Sequence, residues 1–371
     1  MASPRPVIRW SQPDTSPEDY GALRDCFDSN WISQGPKVQE FERQVADFAG
    51  RSHCVAVNSG SSALLAVLLA LGVKGGCEVV IPAMSFIAVP FSVSMLGAAP
   101  VLADLDRATG MVTAETVRPC LSKATRAVIA IDYSGFANDW AGVAGLCEEY
   151  RIPFIVDAAS SFLAYCGGRP AGSFGLAATY SFHAAKPLTT GEGGAVVTDD
   201  EEFAARLRQV RGHGESPREK YLHTALGGNF RMTDMAASLG LSQLDRRDQI
   251  VAARRGAIAH YLNHANLRAS ALGLYADARF EPNGFTFTIL CRDRARLRRE
   301  LREQGVETRV MWPHCVDEHP PYRSLPLRAA GRVEAAREFA GSALSLPVHK
   351  GVGEEEACHV ARALRRSSAA V

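Results

Sequence analysis

From about Val55 to Asp199 the chain alternates short β-branched runs with helix-length segments. VAVN, EVVIPA, VLADLD, AVIAID, FIVDAA, TYSF and GAVVTD read as strands, and stretches such as SALLAVLLALG and NDWAGVAGLCEEY between them read as helices. Strands that are apolar on both faces and separated by helices predict a mostly parallel sheet covered on each side. After Asp200 the pattern becomes mainly helical, through EEFAARLRQVR and a long segment around SQLDRRDQIVAARRGAIAHYL. FTFTIL, VETRVM and LSLPV then read as strands separated by RARLRRELREQG and AAREFAGSAL. The expected architecture is α/β, with a large domain over residues 1–245 and a smaller C-terminal α+β domain over 246–371.

Composition narrows the field. Hydrophobic residues make up 47% and charged residues 22% of the 371, enough to bury a large core. A net charge of +1 gives no footprint for nucleic acid. The nine cysteines are scattered without a CxxC pair, so neither a disulfide framework nor a metal site is expected. MASPRPVIRWSQPD lacks the apolar core of a signal peptide, and ALLAVLLALGV is too short to span a bilayer. A cytoplasmic protein is expected.

Lysine is scarce. Lys37, Lys74, Lys123, Lys220 and Lys350 lie in charged or Gly-flanked turns that keep an ammonium solvated. Lys186 instead sits in SFHAAKPLTTGEGG (181–194), after an apolar strand and before a Gly-rich turn. A lysine that captures a carbonyl must be available as the neutral amine, which partial desolvation provides. A surface lysine laying its stem along apolar neighbours fits the same segment. Asp157, ending the strand of VDAASSF (156–162), stands where a parallel sheet places functional groups, and it is also a natural helix N-cap. VNSGSSALLAVLLALG (57–72) is a strand, a Ser/Gly turn and a helix. There Gly60, Ser61 and Ser62 can aim N–H groups at a phosphate or simply cap the helix.

In their order along the chain these segments resemble the DegT/DnrJ/EryC1/StrS family of sugar aminotransferases, of the aspartate-aminotransferase fold (PLP-transferase fold type I). WISQGPKVQEFE (31–42), the 57–72 segment and EVVIPAMSFIAVPFSVSMLGAAPVLADLD (78–106) carry the likeness. So do VDAASSF, SFHAAKPLTTGEGG, LGGNFRMTDMAASLGLSQL (226–244) and LSLPVHKGVGEEE (344–356). The resemblance implies pyridoxal 5′-phosphate (PLP) as cofactor, with Lys186 as the lysine bonded to its aldehyde and as proton shuttle. It implies Asp157 beside the pyridine nitrogen and Phe86 stacked on the ring. Ser61, Ser62 and Ser181 would hold the phosphate, with Asn229 reaching in from the partner subunit of a homodimer. Two departures stand out. Ser160 replaces a frequent Gln beside the ring oxygen, and Tyr133 stands where members often carry His.

The implied reaction moves an amino group, with L-glutamate as donor, onto a nucleotide-linked keto sugar. The form of the 181–194 segment favours a 4-keto-6-deoxy sugar. Arg231, Arg309 and His314 are candidates for substrate contacts, with surface charge and loop packing as their alternative roles. Rival expectations are a keto-cyclitol or antibiotic-precursor aminotransferase, a sugar dehydratase (in which His usually replaces the lysine) and a cofactor-binding regulator.

Overall fold

The computed structural model describes residues 7–367. All seven strands expected before Asp200 form: β1 (His53–Val57), β2 (Glu78–Pro82), β3 (Ala99–Ala103), β4 (Thr125–Ile131), β5 (Phe154–Asp157), β6 (Ala177–Ser181) and β7 (Gly194–Thr198). They lie side by side in the order β1-β7-β6-β5-β4-β2-β3, and the two-residue strand Arg328–Ala329 extends the β3 edge. The pairs from β6 through β5, β4 and β2 to β3 are parallel, whereas β7 runs antiparallel to both β6 and β1. Val79, Val80, Ile81, Ala127, Val128, Ile155 and Val156 are fully buried, as strands covered by helices on both faces must be. The α/β fold with a mostly parallel sheet is as expected.

A second, smaller core gathers Tyr261, Leu267, Leu297, Leu301, Val360 and Leu364 around the antiparallel pair β8 (Phe287–Leu290) and β9 (Ala343–Leu346). The long helical pattern near residue 245 is two helices, Asp234–Asp245 and Arg247–Leu262, meeting at Arg246. The second of them serves both cores: Ile250 and Val251 face the first, while Ala257, Ile258 and Tyr261 face the second. VETRVM was expected as a strand but makes only isolated bridges, Ile8 with Val306 and Arg309 with Ser345. Its backbone partners come from remote chain, so no continuous ladder forms around it.

Those bridges belong to an N-terminal strap. The Ile8 N–H donates to the Gly305 carbonyl (2.9 Å), and the Glu307 N–H donates back to the Ile8 carbonyl (3.0 Å). His349 Nε2 lies 3.0 Å from the Arg9 carbonyl. The buried Arg254 guanidinium reaches the Gln12 carbonyl (3.3 Å), and Gln243 Nε2 donates to that of Asp14 (2.9 Å). Residues 8–14 are thereby fixed across the two cores. No helix among the described residues is long and apolar enough to cross a membrane.

Candidate active site

The parallel strands all end at one edge of the sheet, and the loops leaving that edge build a single cleft. Ser59, Gly60 and Ser61 follow β1, Phe86 follows β2, and Asp132 follows β4; Asp157 ends β5 and Ser181 ends β6. Together with Lys186 they line a cavity of about 430 Å³, closed on its other side by Trp10, Phe285, Arg309 and Trp312.

Lys186 lies in the loop from β6 to β7, in a turn closed by its own N–H donating to the His183 carbonyl (2.8 Å). The residue as a whole is only half-buried because it borders the cleft, but its amine sits among protein atoms, 4.4 Å above the centre of the Phe285 ring. Desolvation brings the amine down from the ordinary 10.5 to about 8, against the pull of the nearby Asp157 carboxylate. The other five lysines are exposed. Since the neutral amine is the attacking form, capture of a carbonyl by the cofactor-free protein should accelerate with pH and level off just above pH 8. Stopped-flow absorbance at a series of pH values reads this directly. A rate still climbing steeply toward pH 10 would mean that the amine keeps an ordinary lysine pKa.

Asp157 is buried at the strand end. Its Oδ1 accepts from the Ala159 N–H (3.1 Å) and the Thr179 hydroxyl (3.2 Å), while Oδ2 has no hydrogen-bond partner among the described residues. Burial raises its pKa; the Ala159 N–H, Lys186 and Thr179 work in the other direction. A carboxylate with one open oxygen on a cleft wall is suited to a cationic N–H. Asp132, just after the neighbouring strand β4, is a second buried acid. Its N–H donates to the Asp157 carbonyl (3.0 Å), and its carboxyl accepts from Trp140 Nε1 (2.9 Å), the Asn138 N–H (3.1 Å) and the Ser161 hydroxyl (2.5 Å). Desolvation still pushes its pKa up to about 7.

At the start of the helix Gly60–Ala70, Ser59 is the N-cap, its hydroxyl accepting from the Ser62 N–H (3.1 Å). The Gly60 and Ser61 amides in that first turn have no acceptor within the helix. A Cβ at Gly60 would stand 2.9 Å from the Ser181 Cβ, so glycine is what lets the two loops close around one point. Gly60→Ala should therefore weaken binding of a phosphate at this corner by about ten- to a hundredfold, an overpacking cost of about 1–3 kcal/mol. Titration of the cofactor-free protein by absorbance checks it, and an unchanged Kd would remove Gly60 from the cradle. Phe86 is 54% exposed although apolar, with its ring in the cleft. Such a surface awaits a flat partner.

Other expected residues fall differently. The Ser62 hydroxyl is engaged with Asn58 Oδ1 (2.6 Å) and Ser59, and Ser62 does not line the cleft. Ser160 does, but its hydroxyl proton is committed to the Asp132 carbonyl (2.8 Å). Asn229, expected to reach the site of a partner subunit, lies outside this chain's own cleft, its backbone carbonyl accepting from Asn58 Nδ2 (3.1 Å). Arg231 lines a different recess, with Arg208, His213, Lys220 and His223. His314 is exposed and packs edge-on against His319, apart from the cleft wall. Of the three substrate candidates only Arg309 reaches the cleft. Tyr133 is buried between Trp312 and Phe339 with its ring at the cleft floor. Ser59, Asp132, Trp10 and Phe285 line the cleft without having been singled out. A strand-ending Asp marked Asp132 as plainly as Asp157, whereas nothing local marked Trp10 or Phe285.

Residues 13–365 match the DegT/DnrJ/EryC1/StrS aminotransferase family. The chain belongs to that family. Its relatives include the GDP-perosamine synthase of Caulobacter vibrioides, 32% identical over 368 residues, which span 97% of this chain and 98% of the relative. Among solved structures, S. venezuelae DesV superposes with a TM-score of 0.90 at 29% identity, covering 97% of this chain and 98% of DesV. The PLP form of Spr1654 from Streptococcus pneumoniae gives 0.89 at 25% identity, covering 96% and 97%. The protein is a PLP-dependent aminotransferase, and the cleft fits the cofactor. Phe86 offers an open aromatic face, Asp157 an open carboxylate oxygen, Gly60 and Ser61 free amides with the Ser61 and Ser181 hydroxyls beside them, and Lys186 an amine whose pKa desolvation lowers to about 8. The family expectation therefore agrees with the residue chemistry.

Proposed function

We propose that this aminotransferase transfers the amino group of L-glutamate to a nucleotide-linked 4-keto-6-deoxy sugar, with Lys186 as the catalytic amine. The observation that carries the reading is the pairing, in one cleft, of a desolvated lysine, its pKa lowered to about 8, with a buried carboxylate that has an oxygen free. The relative from C. vibrioides is named for a GDP-linked product, which supports a nucleotide-linked acceptor.

When bound, PLP supplies an aldehyde carbon that takes up amines and a ring that stores the electron pair released at the substrate carbon. The chain does the rest. Lys186 Nζ, in its neutral form, would be the amine that holds the cofactor aldehyde, and, once free, the base that would take and return the proton at the substrate carbon. Asp157 Oδ2 would hold a proton on the pyridine nitrogen and keep the ring electron-poor. Phe86 would stack on the ring; the Gly60 and Ser61 amides and the Ser61 and Ser181 hydroxyls would hold the phosphate, while Ser62 holds Ser59 in place. Ser160 would stand beside the ring oxygen. A second copy of the chain would complete the site, with Asn229 reaching the phosphate of its partner's cofactor and Arg231 and His314 meeting the nucleotide portion. The nine cysteines are all free thiols, which supports a reducing, cytoplasmic setting.

The test incubates the holoenzyme with glutamate carrying an isotope-labelled amino nitrogen and a panel of GDP- and dTDP-linked 4-keto-6-deoxy sugars and keto-cyclitols. Label should appear in an aminated nucleotide sugar. Amination of a keto-cyclitol alone, or a deoxygenated product without label, would replace this reading.

A further inference from the structure

The cleft has a wall that the roles above leave unused. Trp10 rides on the N-terminal strap, and its backbone N–H donates to Glu307 Oε2 (3.2 Å). The Ser11 hydroxyl reaches the Ala185 carbonyl (3.5 Å), one residue before the active lysine. Ties at residues 8, 9, 12 and 14 hold the rest of the strap, so the indole is delivered to the cleft on a fixed backbone. The Phe285 ring meets the indole edge-on at 6.1 Å, and the same Phe285 ring carries the Lys186 amine. On the indole lies the guanidinium of Arg309, 5.4 Å from the ring centre.

Among the described residues lining the cleft, Arg309 is the one arginine. The Arg309 side chain has no carboxylate within ion-pairing distance and no hydrogen bond among the described residues, yet it lines the cleft. An arginine stacked on an aromatic face is oriented by the stack while its N–H fork stays free for a pair of carboxylate or phosphate oxygens. Both substrates of the reaction carry such groups, a carboxylate on the amino donor and a diphosphate on the nucleotide sugar.

We propose that Trp10 and Arg309 form an oxyanion-binding unit, in which Arg309 meets the carboxylate or phosphate oxygens of a substrate and Trp10 is the positioning residue that holds the guanidinium toward the cleft. The inference rests on the aminotransferase reading and adds to it a role for the N-terminal strap. The strap thereby belongs to the active site although it lies far from Lys186 in sequence.

The two half-reactions separate the sources of the anion. Cofactor-loaded wild type, Arg309→Ala, Trp10→Ala and Trp10→Phe are each mixed with glutamate, and loss of the visible cofactor band gives a half-saturating concentration and a maximal rate. The aminated enzymes are then mixed with GDP- and dTDP-linked 4-keto-6-deoxy sugars, and return of the band is followed. Arg309→Ala and Trp10→Ala should raise the half-saturating concentration about tenfold or more, equivalent to about 1.4 kcal/mol, with maximal rates nearly unchanged. Trp10→Phe, which keeps a ring under the guanidinium, should stay close to wild type. A shift confined to the glutamate arm identifies the carboxylate as the anion, and one confined to the sugar arm identifies the diphosphate. Values within about twofold of wild type in both arms for Arg309→Ala overturn the proposal. Trp10→Phe as damaging as Trp10→Ala overturns the positioning role. If Trp10→Ala does not hold cofactor, Arg309→Ala and Trp10→Phe decide. A wild type that aminates no keto sugar refutes the proposed function instead, and the glutamate arm still reads the role of Arg309.

Discussion

Lys186→Ala should lower turnover by at least about a thousandfold, with glutamate and keto acceptor both saturating. One substitution removes two functions, the bond to the cofactor aldehyde and the proton relay, and general acid–base catalysis alone contributes about 10²–10⁴-fold. None of the other five lysines can substitute, because each is exposed and none lines the cleft. Lys186→Arg should be equally inactive, since a guanidinium stays protonated and forms no such bond. Folding should survive in Lys186→Ala, because the native amine is held away from water and attracted mainly by Asp157. Retained thermal stability combined with lost turnover is therefore the expected pattern. Near-normal turnover in either variant would end the assignment.

The second large effect is expected at Asp157. Asp157→Asn keeps the shape and the contacts to Ala159 and Thr179 but removes the charge that would hold the pyridine proton. Loss of one preorganised electrostatic partner typically costs about 10²–10³-fold, or about 2.7–4 kcal/mol. The expected fall lies in that range and should appear in the maximal rate of each half-reaction rather than in substrate affinity. A second consequence follows from the pair. Asp157 raises the Lys186 pKa against desolvation, so Asp157→Asn should move the lysine below its value of about 8. The pH profile of cofactor capture should then level off at lower pH than in wild type. If turnover fell while the profile stayed fixed, the two groups would not be electrostatically linked as their burial and proximity require.

How much of this was readable from residues alone follows from the range of each interaction. The seven strands of the sheet were legible because each is a compact β-branched run that must be buried on both faces. Lys186 and Asp157 were legible because a strand ends beside each, and strand ends at one edge of a parallel sheet converge. Gly60, Ser61, Phe86 and Ser181 gathered there for the same reason. Ser62 was expected at the phosphate beside Ser61; in the structure its hydroxyl turns back onto Ser59, whose own hydroxyl caps the helix.

What was not legible depends on chain brought from far away. VETRVM has strand composition, but its neighbours are Ile8 and Ser345, and composition does not report partners. The break at Arg246 is tied to Asp14 and Asp19, more than two hundred residues upstream. Trp10 meets Phe285 and Arg309 only because the strap crosses both cores. Arg231 and His314 have suitable chemistry in suitable motifs but are not carried to this chain's cleft, which is why the proposal for them invokes a second copy, as the expectation for Asn229 did from the start.

The most direct measurement is covalent. Holoenzyme reduced with borohydride and digested should yield a single cofactor-labelled peptide, bearing the label on the lysine of SFHAAKPLTTGEGG. Label on any other lysine, or a reduced enzyme that releases all its cofactor on denaturation, would contradict the role given to Lys186 and with it the chemistry assigned to the cleft.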